Sequence, residues 1–180
     1  MERCGGADLS RSAFYLHFHD KHDLVLAAVR EVAGELESMA DRWWGREGAP
    51  AKRLKEAIEG VVSVYSAHAG LLRVATEVST NDEEVREAWR AIVDRFVETA
   101  AEHIRSEQAG GLIPAGLDPE GTSESLVWMA ERCCYIYLGR DERTPAEVIP
   151  AIAPVWTAAL YPGVIPAAEL RPADGEDATP

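Results

Sequence analysis

Residues 9–24 read LSRSAFYLHFHDKHDL. The run SRSAFYLHF predicts a short helix in which Phe14 and Phe18, four residues apart, share an inward face. Ser10, Arg11, Ser12, Tyr15 and His17 are then free for outward work. A polar turn follows. A second helix is expected from Asp20, its N-cap, with Asp23 in a first turn where the macrodipole favours a carboxylate. Lys21 lies beside that helix start, a ready anion site. A short helix, a polar turn and a long helix in this order are usually the second half of a larger unit. A lone helix of about nine residues is marginal in water, so Phe14 and Phe18 need partners from upstream.

Charge is spread unevenly around this segment. The 180-residue chain carries a formal net charge of −13. Residues 1–30 balance Arg3, Arg11, Lys21 and Arg30 against Glu2, Asp8, Asp20 and Asp23, so the whole excess lies beyond them. An acidic body cannot neutralise phosphates, and any DNA contact is expected within those first 30 residues. Cys4, Cys133 and Cys134 are odd in number and two are adjacent, which excludes a disulfide framework and fits a reducing cytoplasm. Cys133 and Cys134 read as buried small hydrophobes. No apolar run reaches the roughly 20 residues of a membrane span, and the head lacks a secretory signal's apolar stretch.

Downstream the apolar period is helical throughout, with no strand pattern, and an all-α fold is expected. Val25, Val29, Val32, Leu36, Met39 and Trp43 draw one stripe on a helix that should stop near Gly45–Pro50. A second helix is expected from about Ala51 to His68, with Leu54, Ile58, Val61, Val62 and Tyr65 inward. A short one, LLRVATEVS, follows Gly70. Asn81 or Asp82 then caps a long helix striped by Val85, Trp89, Ile92, Val93, Phe96, Val97, Ala100 and Ile104. QAGGLIPAGLDPEG reads as a loop and SESLVWMAERCCYIYL as a helix apolar on more than one side, with Leu126, Met129, Ala130, Cys133, Ile136 and Tyr137 among its inward candidates. Thr144, Pro145 and Glu147 open the last helix with a capping box, while Pro150 and Pro154 predict a kink or a late restart. The Pro-, Ala- and acid-rich residues 164–180 are expected to be a disordered tail.

LSRSAFYLHFHDKHDLVLAAV resembles the end of the DNA-binding domain of tetracycline-repressor (TetR) family regulators, through Ser10, Ser12, Phe14, Tyr15, His17, Phe18, Lys21 and Leu24. The resemblance implies that Tyr15 and Lys21 meet phosphates while Ser10, Arg11, Ser12 and His17 lie near bases or backbone. It also implies a first helix and a positioning helix upstream, together about 30 residues more than the chain as given. With them a palindromic operator is the expected partner; without them the chain should bind DNA far more weakly. The domain expectation is a partial DNA-binding head at 1–30, with a recognition helix near 10–18 and a linking helix from 20. A six-helix ligand-binding and dimerisation body at 31–163 should follow, then the tail.

The body resembles the ethionamide-resistance repressor subgroup in VREAWRAIVDRFVETAAEHI, MAERCCYIYLGRDERTPAEV and VWTAALYPG. That subgroup has a long, mainly apolar tunnel for lipophilic ligands. Residue match puts Trp89, Phe96, Val127, Ala130 and Trp156 at its wall. Val127 and Ala130 stand where the subgroup carries polar amides, so a more apolar pocket is implied. Tyr65 and Trp128, aromatic residues on helical stripes, join the candidates, against the alternative that such aromatics are simple core. The expected ligand is small, elongated and lipophilic, neutral or cationic, because the acidic body disfavours anions. The family also implies a homodimer through the last two helices, with Ile136 and Leu160 as sensitive positions. Glu131 and Arg132, mid-helix among apolar residues, suggest an internal ion pair or a dimer contact.

His17, His19 and His22 have no cysteine or carboxylate at a clear ligand spacing, so no metal centre is expected. No nucleophile–base pair, P-loop, dinucleotide turn or paired-carboxylate motif stands out either, and neither enzymatic activity nor a cofactor is expected. The expected function is that of a ligand-responsive transcriptional regulator, a repressor released by a lipophilic effector. The alternative is a TetR-like homodimer that binds ligand or protein without DNA.

Overall fold

The computed structural model describes residues 25–27, 29–36 and 48–163. The proposed DNA-facing residues Ser10, Arg11, Ser12, Tyr15, His17 and Lys21, the Asp20 cap, Met39, Trp43 and the tail lie outside them. Among the described residues there are six helical stretches and no strand. We label them α1 (residues 25–27 and 29–36), α2 (Pro50–Ala67), α3 (Ala69–Val78), α4 (Glu83–Ala109), α5 (Pro119–Tyr137) and α6 (Pro145–Leu160).

Local chemistry sets the boundaries. Pro50 opens α2 at a position where its missing N–H costs nothing. The Asp82 carboxylate caps α4 by accepting from the Val85 N–H at 3.1 Å, and Glu83 and Glu84 fill the first turn. α4 ends in a Schellman turn. Gly111 takes φ +74°, the Leu112 N–H donates to the Glu107 carbonyl at 2.9 Å, and the Gly111 N–H donates to Gln108 at 3.0 Å. α5 starts four residues earlier than its apolar pattern suggests. Asp118 accepts from the Gly121 N–H at 3.1 Å with Pro119 in the first turn, so DPEG is a helix start and not a loop.

In α6 the Thr144 N–H and hydroxyl both donate to Glu147, at 2.9 and 2.8 Å. The expected late restart is absent, and α6 runs unbroken through Pro150 and Pro154. Both prolines face solvent, as does Ala146. The carbonyls freed at Ala146 and Pro150 can therefore be satisfied by water.

Helix α4 packs most extensively along α5, and α2 along α6. The apolar stripes meet in one core that includes Leu54, Leu72, Val85, Ile104, Val148 and Ile152. Leu160 belongs to that core at 1% exposure, so it is not a residue reserved for a partner's surface. Val155 is the exposed apolar residue of α6, at 45%. α5 buries Leu126, Cys134 and Tyr135, as does its C-cap Leu138, and leaves Met129, Cys133, Ile136 and Tyr137 half-buried. Cys134 and Tyr135 thus face inward where the pattern favoured Met129 and Cys133.

A polar clasp closes one end of the body. Arg53 Nη2 of α2 donates to Glu107 Oε1 of α4 at 2.6 Å. The Tyr161 hydroxyl, just after α6, donates to Glu107 Oε2. His103 Nε2 stands 3.4 Å from Oε1. Burial holds the His103 ring below its usual pKa, more strongly than the facing Glu107 raises it. Burial and the bond to Glu107 hold the Tyr161 phenol well above the usual range, so it stays a donor.

Candidate functional site

A cavity of about 120 Å³ lies where the α2–α6 and α4–α5 pairs meet. Helical spacing builds its walls. Leu54, Ala57, Ile58, Val61, Val62 and Tyr65 recur at i, i+3 and i+4 along α2. Trp89, Ile92, Val93, Phe96 and Ala100 do the same along α4, with Thr99 beside them. α5 contributes Val127, Ala130, Glu131 and Cys134, α6 contributes Ile152 and Trp156, and Leu36 of α1 completes the lining. Interiors are packed with few voids larger than a water molecule. At roughly 24 cal/mol per Å³, leaving 120 Å³ unfilled costs up to about 3 kcal/mol.

The structure brings Tyr65, Trp89, Phe96, Val127, Ala130 and Trp156 together on this cavity. Trp128 is not among its lining residues. It stands about 100° round α5 from Val127, with the Arg90 guanidinium 5.7 Å from its ring centroid. Glu131, Cys134 and Ile152 also line the cavity, beyond the residues to which the sequence points. The repeat Val127, Ala130, Glu131, Cys134 is a helix stripe, and that spacing was the available signal.

Among the described residues Glu131 is the one carboxylate of the wall. Its side chain is 7% exposed, and neither oxygen has a hydrogen-bond partner among the described residues. Arg132 Nε is 3.7 Å from Oε2, beyond hydrogen-bond reach, and its side chain is 53% exposed. The expected ion pair is therefore loose. Burial pushes the Glu131 carboxyl above its usual pKa, opposed only in part by Arg132. The Tyr65 hydroxyl and Trp156 Nε1 are likewise buried without partners. Burial and the nearby Glu131 raise the Tyr65 phenol well beyond its usual range. Cys134 is pushed up to about 12, chiefly by burial, and is a protonated small hydrophobe rather than a nucleophile. Cys133 and Cys134 are both free thiols. No group of three or more metal-ligating side chains occurs among the described residues.

Residues 54–162 match the family model described as the C-terminal domain of the transcriptional regulator EthR. The chain belongs to the TetR family, in its EthR branch. It is 24% identical over 166 residues to the HTH-type transcriptional regulator EthR of Mycolicibacterium smegmatis, covering 89% of this chain and 75% of that protein. The Mycobacterium tuberculosis EthR is 23% identical over 161 residues, covering 87% and 74%. The fold is shared with TetR-family regulators of known crystal structure. One from Syntrophomonas wolfei aligns with TM-score 0.69 at 17% identity, over 89% of this chain and 82% of that one. One from Rhodococcus sp. aligns with TM-score 0.69 at 19% identity, over 83% and 81%. These relatives are named as transcriptional regulators. No helix among the described residues is long and apolar enough to cross a membrane.

Proposed function

We propose that the protein is a cytoplasmic, homodimeric repressor whose body senses a small lipophilic effector in the α2–α4–α5–α6 cavity and whose head binds a palindromic operator. The observation that supports it is the cavity itself. It is bounded by Trp89, Phe96, Tyr65 and Trp156 in a chain of the EthR branch, and it leaves apolar surface unfilled where a core would be packed. In this reading residues 1–30 are the DNA-binding head and residues 31–163 the sensing and pairing body. Ser10, Arg11, Ser12, Tyr15, His17 and Lys21 face DNA, while Tyr65, Trp89, Phe96, Val127, Ala130 and Trp156 face the effector. Trp128 is left out of the effector set because it does not line the cavity. Two copies pair through the outer faces of α5 and α6, around Ile136 and Val155. An effector lowers operator affinity by favouring a dimer geometry that mis-spaces the two heads. A preference of about 1.4–3 kcal/mol shifts the operator equilibrium roughly 10- to 150-fold.

The test is a thermal-shift and tryptophan-fluorescence screen with small lipophilic compounds, on the native protein and on Trp89→Ala. Compounds that bind are then added to the regulator on selected operator DNA in a gel-shift titration. The expected result is a raised melting temperature that Trp89→Ala abolishes, and DNA release by the same compounds. If no compound raises the melting temperature, the sensor reading fails.

A further inference from the structure

Among the described residues, six buried side-chain polar atoms lack a hydrogen-bond partner. Four of them belong to residues that line the cavity: both carboxylate oxygens of Glu131, the Tyr65 hydroxyl and Trp156 Nε1. The other two are Arg53 Nε and Ser123 Oγ. Buried polar groups are almost always paired, and a buried carboxylate without hydrogen bonds is costly. Both Glu131 oxygens stand without a hydrogen bond beside a mainly apolar wall.

We propose that the cavity recognises a compact lipophilic amine, bound through its ammonium group to Glu131. The inference rests on the effector-sensor reading above and names the class of effector. An ionised carboxylate only accepts hydrogen bonds, so its partner must donate, and a protonated amine brings up to three donors together with the countercharge. The Arg132 guanidinium does not fill that role. It is mostly exposed, lies 3.7 Å off, and is drawn over the Tyr135 ring at 5.0 Å. Tyr65 and Trp156 add aromatic rings to the same wall, and ring faces attract cations. The Tyr65 hydroxyl oxygen, also without a partner, can accept a hydrogen bond from the remaining ammonium N–H. The body's negative charge draws cations toward the cavity and repels carboxylates. The volume limits the hydrocarbon part. An engineered apolar cavity of roughly 150 Å³ in another protein takes a single benzene, so about 120 Å³ suits a body of about six carbons.

The test compares hexylamine, hexan-1-ol and hexanoate at pH 7 on the native protein and on Glu131→Gln, read by thermal shift and tryptophan fluorescence. On the native protein the amine should bind at least about tenfold more tightly than the alcohol, and hexanoate most weakly. The preference for the amine should collapse in Glu131→Gln. If the alcohol binds the native protein as tightly as the amine, or if Glu131→Gln keeps the preference, the amine assignment is overturned while the sensor reading stands. If none of the three binds while other lipophilic compounds of the wider screen do, the amine assignment is overturned and the sensor reading stands.

Discussion

Glu107 and Glu131 sit on packed neighbours, α4 and α5, with the same side-chain exposure of 7%. Their surroundings differ completely. Glu107 receives Arg53 from α2 and Tyr161 from the end of α6, and has His103 close by. Its charge is satisfied within the protein, and the cluster ties three helices into one end of the body. Glu131 receives no hydrogen bond among the described residues and belongs to the wall of a cavity. Burial alone therefore does not tell what a carboxylate is for; the partners do. The first is a clasp, and the second is a group that folding leaves unsatisfied.

Removing the cation from each carboxylate should produce the largest difference. Arg53→Ala leaves Glu107 buried without its guanidinium and should cost about 3 kcal/mol or more in urea unfolding. Arg132→Ala removes a half-exposed partner at 3.7 Å and should cost less than about 1 kcal/mol. Equal losses would erase the distinction between the two sites. A smaller effect separates the two tyrosines. Tyr161→Phe deletes a hydrogen bond to a charged group and should cost about 1.5–3 kcal/mol. Tyr65→Phe deletes a hydroxyl that has no partner and should leave the ligand-free stability within about 0.5 kcal/mol of native. A loss in Tyr65→Phe as large as that in Tyr161→Phe would mean that the cavity's polar groups are satisfied in solution.

Much of this architecture was legible in the sequence. The stripe from Val85 to Ile104, the Asp82 cap and the Thr144–Glu147 box each follow from local spacing and hydrogen-bond chemistry, and each stands where the pattern put it. What escaped needed three-dimensional context. Pro150 and Pro154 allow a kink or a restart, and the restart is ruled out only when α6 is seen to run through both, each facing water that can take over the carbonyls they free. Leu160 looks suited to a partner until the fold encloses it. Trp128 has the right chemistry for the cavity but the wrong helical phase. Glu131 was visible as a carboxylate among apolar residues. Whether Arg132 would reach it depended on side-chain directions that sequence does not carry, and adjacent residues point about 100° apart on a helix.

The most direct test is equilibrium urea unfolding of the native protein, Glu107→Gln and Glu131→Gln, without ligand, at pH 5 and pH 8. Glu107→Gln should lose about 2–3 kcal/mol at both, because Arg53 and Tyr161 lose an ionised acceptor. The sign for Glu131 is opposite. Its folded carboxyl holds its proton to higher pH than the unfolded chain does. Native stability from this group is therefore intact below the ordinary carboxylate pKa and is lost as pH rises through the raised one. The glutamine variant escapes that loss, so Glu131→Gln should equal native near pH 5 and exceed it at pH 8. A Glu131→Gln variant that loses as much as Glu107→Gln, or that falls further behind native as the pH rises, would contradict the account.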